Sequence, residues 1–242
     1  MINVVNEKYK YPYNTIKDIL YLAEENINNI IDKYVKVAGW VRSVREQGKD
    51  TFAFCSLNDG TTSDCLQVII NKENDSENDE ENFSDFYNYA NTGCSIRVEG
   101  NIIKSPANGQ LIELIANKIF LEGKVENSGS YPIAKTRINL DTLRNYCHLR
   151  ARTNTFGCIF RIRSNMMYAT HQFYQEHGFL HLDPNVITVN ECEGGAGVFT
   201  VSEMFSNTVN NIPTIKDSDN VDWKKDHFEK KAFLTVSSQL QL

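Results

Sequence analysis

The sequence predicts a small all-β barrel followed, across a linker, by a second unit that opens on one long helix. Three observations carry this. Between residues 35 and 121, five stretches alternate apolar and polar residues with period two and are separated by turn signals. Residues 123–140 then turn rich in Gly, Ser and Asn and carry Pro132, a composition that continues neither strand nor helix. Over 155–177, Phe156, Ile159, Phe160, Met166, Met167, Thr170, Phe173 and Tyr174 recur at helical spacing, and Gly178 supplies a stop.

Each element has its own local reason. Residues 1–34 read as a helical extension. Thr15 and Asp18 form a capping pair ahead of Ile16, Ile19, Leu20, Ala23, Ile27, Ile30 and Ile31, so a helix is expected over 15–34. Val35, Val37, Gly39 and Val41 alternate as a first strand. Phe52 and Phe54 open a second, which ends at Asn58-Asp59-Gly60, with Phe52 free to fill the core. Leu66–Ile70 is a third. Residues 71–82 (NKENDSENDEEN) are a polar insert that cannot build a core. Phe83, Phe86, Tyr87 and Ala90 suggest a short helix. Ser95–Ile103 and Gln110–Leu121 complete the strands, joined through Pro106-Ala107-Asn108-Gly109. Five strands with a helix before the fourth match an OB-fold over 35–122, a Greek-key barrel that often binds oligonucleotides; a plain barrel would read the same way. After the linker, Phe179–Leu182 reads as a strand leading into Pro184. Residues 214–227 read as a loop and Ala232–Val236 as a final strand.

Charge limits the partners less than it first suggests. The 242 residues carry a formal charge of −6, but residues 73–85 hold seven acids and no Lys or Arg, so the remainder is close to neutral. A nucleic-acid partner is therefore not excluded, and the clustering of basic residues decides, as in His148-Leu149-Arg150-Ala151-Arg152. No stretch approaches the roughly 18–20 apolar residues of a membrane span. The first 18 residues lack an apolar signal core, so the cytoplasm is the expected location. Six Cys at irregular spacings show no metal-finger pattern and are expected to be reduced, mostly buried thiols; no metal site is expected. None of the five His reads as catalytic.

Eight stretches, in order, resemble the asparaginyl-tRNA synthetases, class II enzymes of the aspartyl/asparaginyl/lysyl subgroup. They are GWVRSVR (39–45), FCSLNDGT (54–61), LQVII (66–70), VEGNIIKSP (98–106), LRNYCHLRART (143–153), FRIRS (160–164), ECEGGAGVFTV (191–201) and FLTVSSQL (233–240). The resemblance implies an anticodon-binding OB domain, then the start of an α+β catalytic domain over 141–242 with an antiparallel sheet. In that reading Phe54 stacks an anticodon base or else packs the barrel, and Gln67 reads a base edge or else is a solvated strand residue. Arg42 and Arg45 meet phosphates or bases or else form a charged face, and Glu113 reads a base in a similar way. Arg161, Arg163 and the strand ending at Pro184 resemble class II motif 1, which implies a homodimer interface. Glu193 and Gln239 correspond to amino-acid-binding positions, Glu193 facing the substrate ammonium or else lying exposed in its Gly-rich loop. The chain departs from the family pattern at Asp183 and Asn185, at Val198 where a second glutamate is absent, and at Ser238 where a Gly is usual.

The resemblance further implies ATP-dependent attachment of L-asparagine to tRNA(Asn), with ATP and Mg²⁺ as the wider enzyme's ligands. The arginines of motifs 2 and 3, which hold ATP, follow the LTVSGQL stretch in the family, whereas this sequence stops two residues after Leu240. The expectation is thus a truncated chain with no catalytic residue of its own and negligible adenylation, since phosphate charge stabilisation is the main catalytic term. Two alternatives remain at this point: a non-catalytic RNA-binding module, and an aspartate-specific member of the subgroup.

Overall fold

The computed structural model describes residues 13–47, 52–71, 86, 88–126, 129, 131–133, 138–190, 197–205 and 212–241. The chain forms two compact units, Met1–Met166 and Met167–Leu242.

In the first unit five strands close into a barrel in the order β1-β2-β3-β5-β4. They are β1 (Tyr34–Gln47), β2 (Phe52–Asn58), β3 (Leu66–Asn71), β4 (Ser95–Lys104) and β5 (Ile112–Gly123). The period-two pattern sorts each strand into an inner and an outer face. Val35, Val37 and Val41 of β1, Ala53, Cys55 and Leu57 of β2, and Leu66, Val68 and Ile70 of β3 are all buried. Ile96, Val98 and Ile102 of β4 meet Leu114, Ala116 and Ile119 of β5 in the same core. Antiparallel ladders join β1 to β2, β2 to β3, β4 to β5 and β1 to β4, while a short parallel pairing joins β3 to β5, Val68 opposite Leu114 and Ile69 opposite Ile115. Phe86, Asn88 and Tyr89 are helical, and Phe86 sits in the core with no exposed surface. Phe83 and Tyr87 lie outside the described residues, as does the acidic insert beyond Asn71.

Helix α1 (Ile16–Glu25) packs Ile16, Ile19 and Ala23 into that core. The Thr15 hydroxyl accepts the Asp18 N–H at 3.1 Å, as the capping pattern predicts. The helix ends well before the expected limit of 34. Asn26 is extended, and its side chain accepts the Asn28 N–H, opening a short 3₁₀ turn over Ile27–Asn29. Asparagines offer the backbone side-chain bonds that compete with helix, which apolar periodicity alone does not register. Phe52 also departs from expectation. It is 38% exposed, because small Ala53 and Cys55 take the inner face of β2.

After the linker come α2 (Leu140–Asn145) and the long helix α3 (Asn154–Glu176). Asn139 caps α2 through the Asp141 N–H at 3.0 Å. Gly178, at φ 81°, ends α3 with Phe179 N–H donating to the Tyr174 carbonyl, a left-handed turn that glycine adopts without cost. Of the apolar face expected on α3, only Phe156 is buried; Met166, Met167, Phe173 and Tyr174 are exposed.

Within the second unit, β6 (Ile187–Thr188), β7 (Thr200–Val201) and β8 (Ala232–Leu234) form an antiparallel sheet with β8 in the middle. Ala232 and Phe233 are its buried residues. Phe179–Leu182, expected as a strand, has no ladder partner among the described residues and is irregular. The last strand stops at Leu234, short of the expected Val236. The described cysteines are less buried than expected: Cys55 and Cys94 are buried, Cys158 is half-buried, and Cys65 and Cys147 are exposed; these five are free thiols, and Cys192 lies outside the described residues. Among the described residues, no helix is long and apolar enough to cross a membrane.

Two features of the barrel predict measurable behaviour. At Gly100, opposite a bulge in β5, an added Cβ would sit 1.9 Å from the Ile115 carbonyl oxygen. Gly100→Ala therefore destabilises the barrel by about 1–3 kcal/mol in urea unfolding. On the outer wall, burial by itself would raise the Glu99 carboxyl, but bonds from Lys36 and Tyr34 and the charges of Lys36 and Arg97 outweigh it and hold it below the usual range. A depressed carboxylate contributes stability above its unfolded value of about 4.3 and loses it as pH falls through the folded value. Glu99→Gln is thus less stable than the parent at pH 7, and the two unfolding curves converge at acid pH below both values.

Candidate nucleic-acid interface

The inner faces of β1, β2 and β3 are filled by small apolar groups, so the alternate residues must face outward. Strand register aligns them in rows. Ser43, Ser56 and Gln67 are directly opposite one another, as are Arg45, Phe54 and Ile69, then Gln47, Phe52 and Asn71. Between these rows lies an open groove of about 390 Å³, lined by Arg45, Gln47, Phe54, Ser56 and Gln67 among others. The Phe54 side chain is half-buried in its wall, and Arg45 is exposed beside it. The groove thus offers a ring face for stacking, a cation and an amide that can both donate and accept.

Gln67 is anchored from below. Its Nε2 donates to Glu113 Oε1 at 3.4 Å, and the same oxygen accepts from Ser105 Oγ at 2.7 Å and from Gln110 Nε2. Glu113 is therefore 2% exposed and does not present its carboxylate to the groove. A carboxylate accepts only, so it turns the Gln67 amide nitrogen toward itself. Ser105 and Gln110 were not singled out from sequence. The one signal for them is their place at either end of the Pro106–Gly109 turn, which folds both back over Glu113.

Arg42 is not in this groove. The ladder slips between Val41 and Ser43, and this bulge takes Arg42 out of the outward row. Its Nη2 donates to Asn154 Oδ1 at 2.9 Å, at the start of α3. Arg161, expected at a dimer interface, donates through Nη1 to the Gly60 carbonyl at 2.9 Å, within the first unit. Arg163 is exposed and Pro184 half-buried. Gln239 is exposed, its backbone N–H bound to Ser237 Oγ at 3.1 Å. Glu193 lies outside the described residues. Among the described residues no group of three or more His, Cys, Asp or Glu is placed to hold a metal ion.

Comparison with known proteins agrees with this geometry. Residues 35–122 match the family model of an OB-fold nucleic acid binding domain. The chain is 39% identical over 210 residues to the asparagine–tRNA ligase of Photobacterium profundum, covering 87% of this chain and 43% of that protein. It is 40% identical over 230 residues to the asparagine–tRNA ligase of Treponema denticola, covering 93% of this chain and 46% of the relative. The chain thus spans somewhat under half the length of these curated relatives. In fold, it superposes on the asparaginyl-tRNA synthetase of Pyrococcus horikoshii, solved with asparaginyl-adenylate, with a TM-score of 0.69 at 20% identity, covering 95% of this chain and 44% of that one. A closed five-stranded barrel with its cation, ring and amide on one outer face, in a chain about 40% identical to such ligases over most of its length, makes this protein a homologue of the asparaginyl-tRNA synthetases.

Proposed function

We propose that this chain supplies the tRNA-gripping part of an asparagine–tRNA ligase, an ATP-dependent enzyme that joins L-asparagine to tRNA(Asn) in the cytoplasm. The observation that carries the reading is the shared groove of Arg45, Phe54 and Gln67 on the barrel of a chain homologous to these ligases. Phe54 stacks an unpaired anticodon base, Gln67 meets a base edge and Arg45 neutralises backbone phosphate. Glu113 serves the same task from beneath, by holding Gln67. Glu193 and Gln239 are assigned to the amino acid; ATP and Mg²⁺ belong to the wider enzyme, and the described residues offer no carboxylate cluster that fits the metal.

Stacking on an aromatic ring is worth about 1–3 kcal/mol per base. Phe54→Ala therefore weakens binding of a tRNA(Asn) anticodon stem-loop by about 5- to 150-fold in a fluorescence-anisotropy titration, with the fold intact by circular dichroism. Equal affinity of the variant and the parent would refute the groove as the RNA site.

The exposed apolar face of α3 supports pairing with a second copy of the chain through that helix, and the family resemblance assigns Arg163 and Pro184 to the same interface. Ile162 and Met166 are each 63% exposed and Phe173 55%, more contiguous apolar area than a solvated helix normally leaves open. Sedimentation velocity should give a dimer for the parent and a monomer for Phe173→Asp; a monomeric parent would overturn the assignment.

A further inference from the structure

The basic run of residues 148–152 is not used by the groove, and the fold gives it a place. Within the first unit a second cavity, of about 550 Å³, is lined by Trp40, Arg42, Asp59, His148, Arg152 and Arg161, among others. The three guanidiniums are held by neutral acceptors. Arg42 donates to Asn154 Oδ1 at 2.9 Å, Arg161 to the Gly60 carbonyl at 2.9 Å, and Arg152 to the Tyr131 hydroxyl at 3.4 Å. Among the described residues, the ion pairs lie elsewhere, at Glu99, Glu122 and Asp141, and none involves these arginines. The lining carboxylate, Asp59, is committed to its own turn. Its Oδ2 accepts the Ile16 N–H at 2.8 Å, and its Oδ1 accepts the Thr61 N–H at 3.0 Å and hydroxyl at 2.6 Å. A fourth guanidinium, Arg150, lies over Phe156 and Phe160, its Nε buried without a hydrogen-bond partner. The cavity lining therefore sets three guanidiniums against one carboxylate, a net positive charge.

We propose that this cavity is a second RNA contact, taking the phosphodiester backbone of the paired stem that flanks the loop bound in the groove. The inference rests on the groove being an RNA site. Guanidinium forks match phosphate oxygens. Arg152 lies over the Trp40 ring at 4.6 Å, so that ring face is already covered and base stacking is not what the cavity offers. Position argues for the stem. Arg42 lies three residues from Arg45 on β1, roughly 10 Å along the strand. A chain whose unpaired bases occupy the groove thus continues past Arg42 within a few nucleotides. Nucleotides next to a loop are paired, and a paired stem presents backbone rather than base edges.

The test uses the full 242-residue chain with two RNAs, an anticodon stem-loop and its loop sequence as a single strand, titrated over a series of salt concentrations. For the parent, the stem should raise affinity by about 10-fold or more and steepen the salt dependence by about two phosphate equivalents. A stem that adds neither overturns the proposal without recourse to any variant. Arg42→Gln combined with Arg152→Gln should weaken stem-loop binding about 10-fold, flatten its salt slope, and change single-strand affinity by less than about 2-fold. Equal losses on both RNAs, or no loss on the stem-loop, count against it. Phe54→Ala separates the two readings, because it should weaken both RNAs. If it weakens neither while the arginine pair still acts on the stem-loop, the groove assignment fails and the phosphate site stands.

Discussion

The filled interior of the barrel is the constraint on which the rest of the structure depends. Ala53, Cys55 and Leu57 have no exposed surface, and neither do Leu66, Val68 and Ile70 of the neighbouring strand. Because side chains in a strand alternate strictly, this fixes Phe54 and Gln67 on the outside, and a slip of one residue would exchange every inner group for an outer one. The face that carries the groove is thus a consequence of core packing. Closure through the parallel β3–β5 pairing adds the third wall and brings Glu113 alongside Gln67.

The same packing explains how an acidic chain keeps a cationic site. Its excess of acidic over basic residues comes from one segment, while Arg42, Arg45, Arg152 and Arg161 stand along β1, the turn before α3 and α3 itself. The bulge at Arg42 divides these cations. Arg45 stays in the outward row with Phe54, whereas Arg42 turns to Asn154. One irregularity in a strand therefore separates the groove that Arg45 lines from the cavity that Arg42 lines. The Glu99 cluster on another wall contrasts with both, since there each cation has a carboxylate partner.

Glu113 shows how burial changes a residue's role. A carboxylate sunk beneath two donors of the β4–β5 turn is held in one orientation and cannot meet a base without displacing them. What it can do is fix the direction of a neighbouring amide, and direction is what discriminates donor from acceptor edges.

Alternation and turn signals in the sequence determined five strands and the long helix with its Gly178 stop. These depend on local periodicity and on residue types whose conformational limits act over a few positions. Tertiary structure alone decided the rest. The Phe52 ring lies outside because small residues fill the interior, and Arg42 leaves the groove because of a register slip. Glu113 sinks because a turn folds over it, and α1 stops early because asparagine side chains bond the backbone. Each of these outcomes depends on which groups compete for the same space or the same hydrogen bond, and apolar periodicity along the chain does not register that competition.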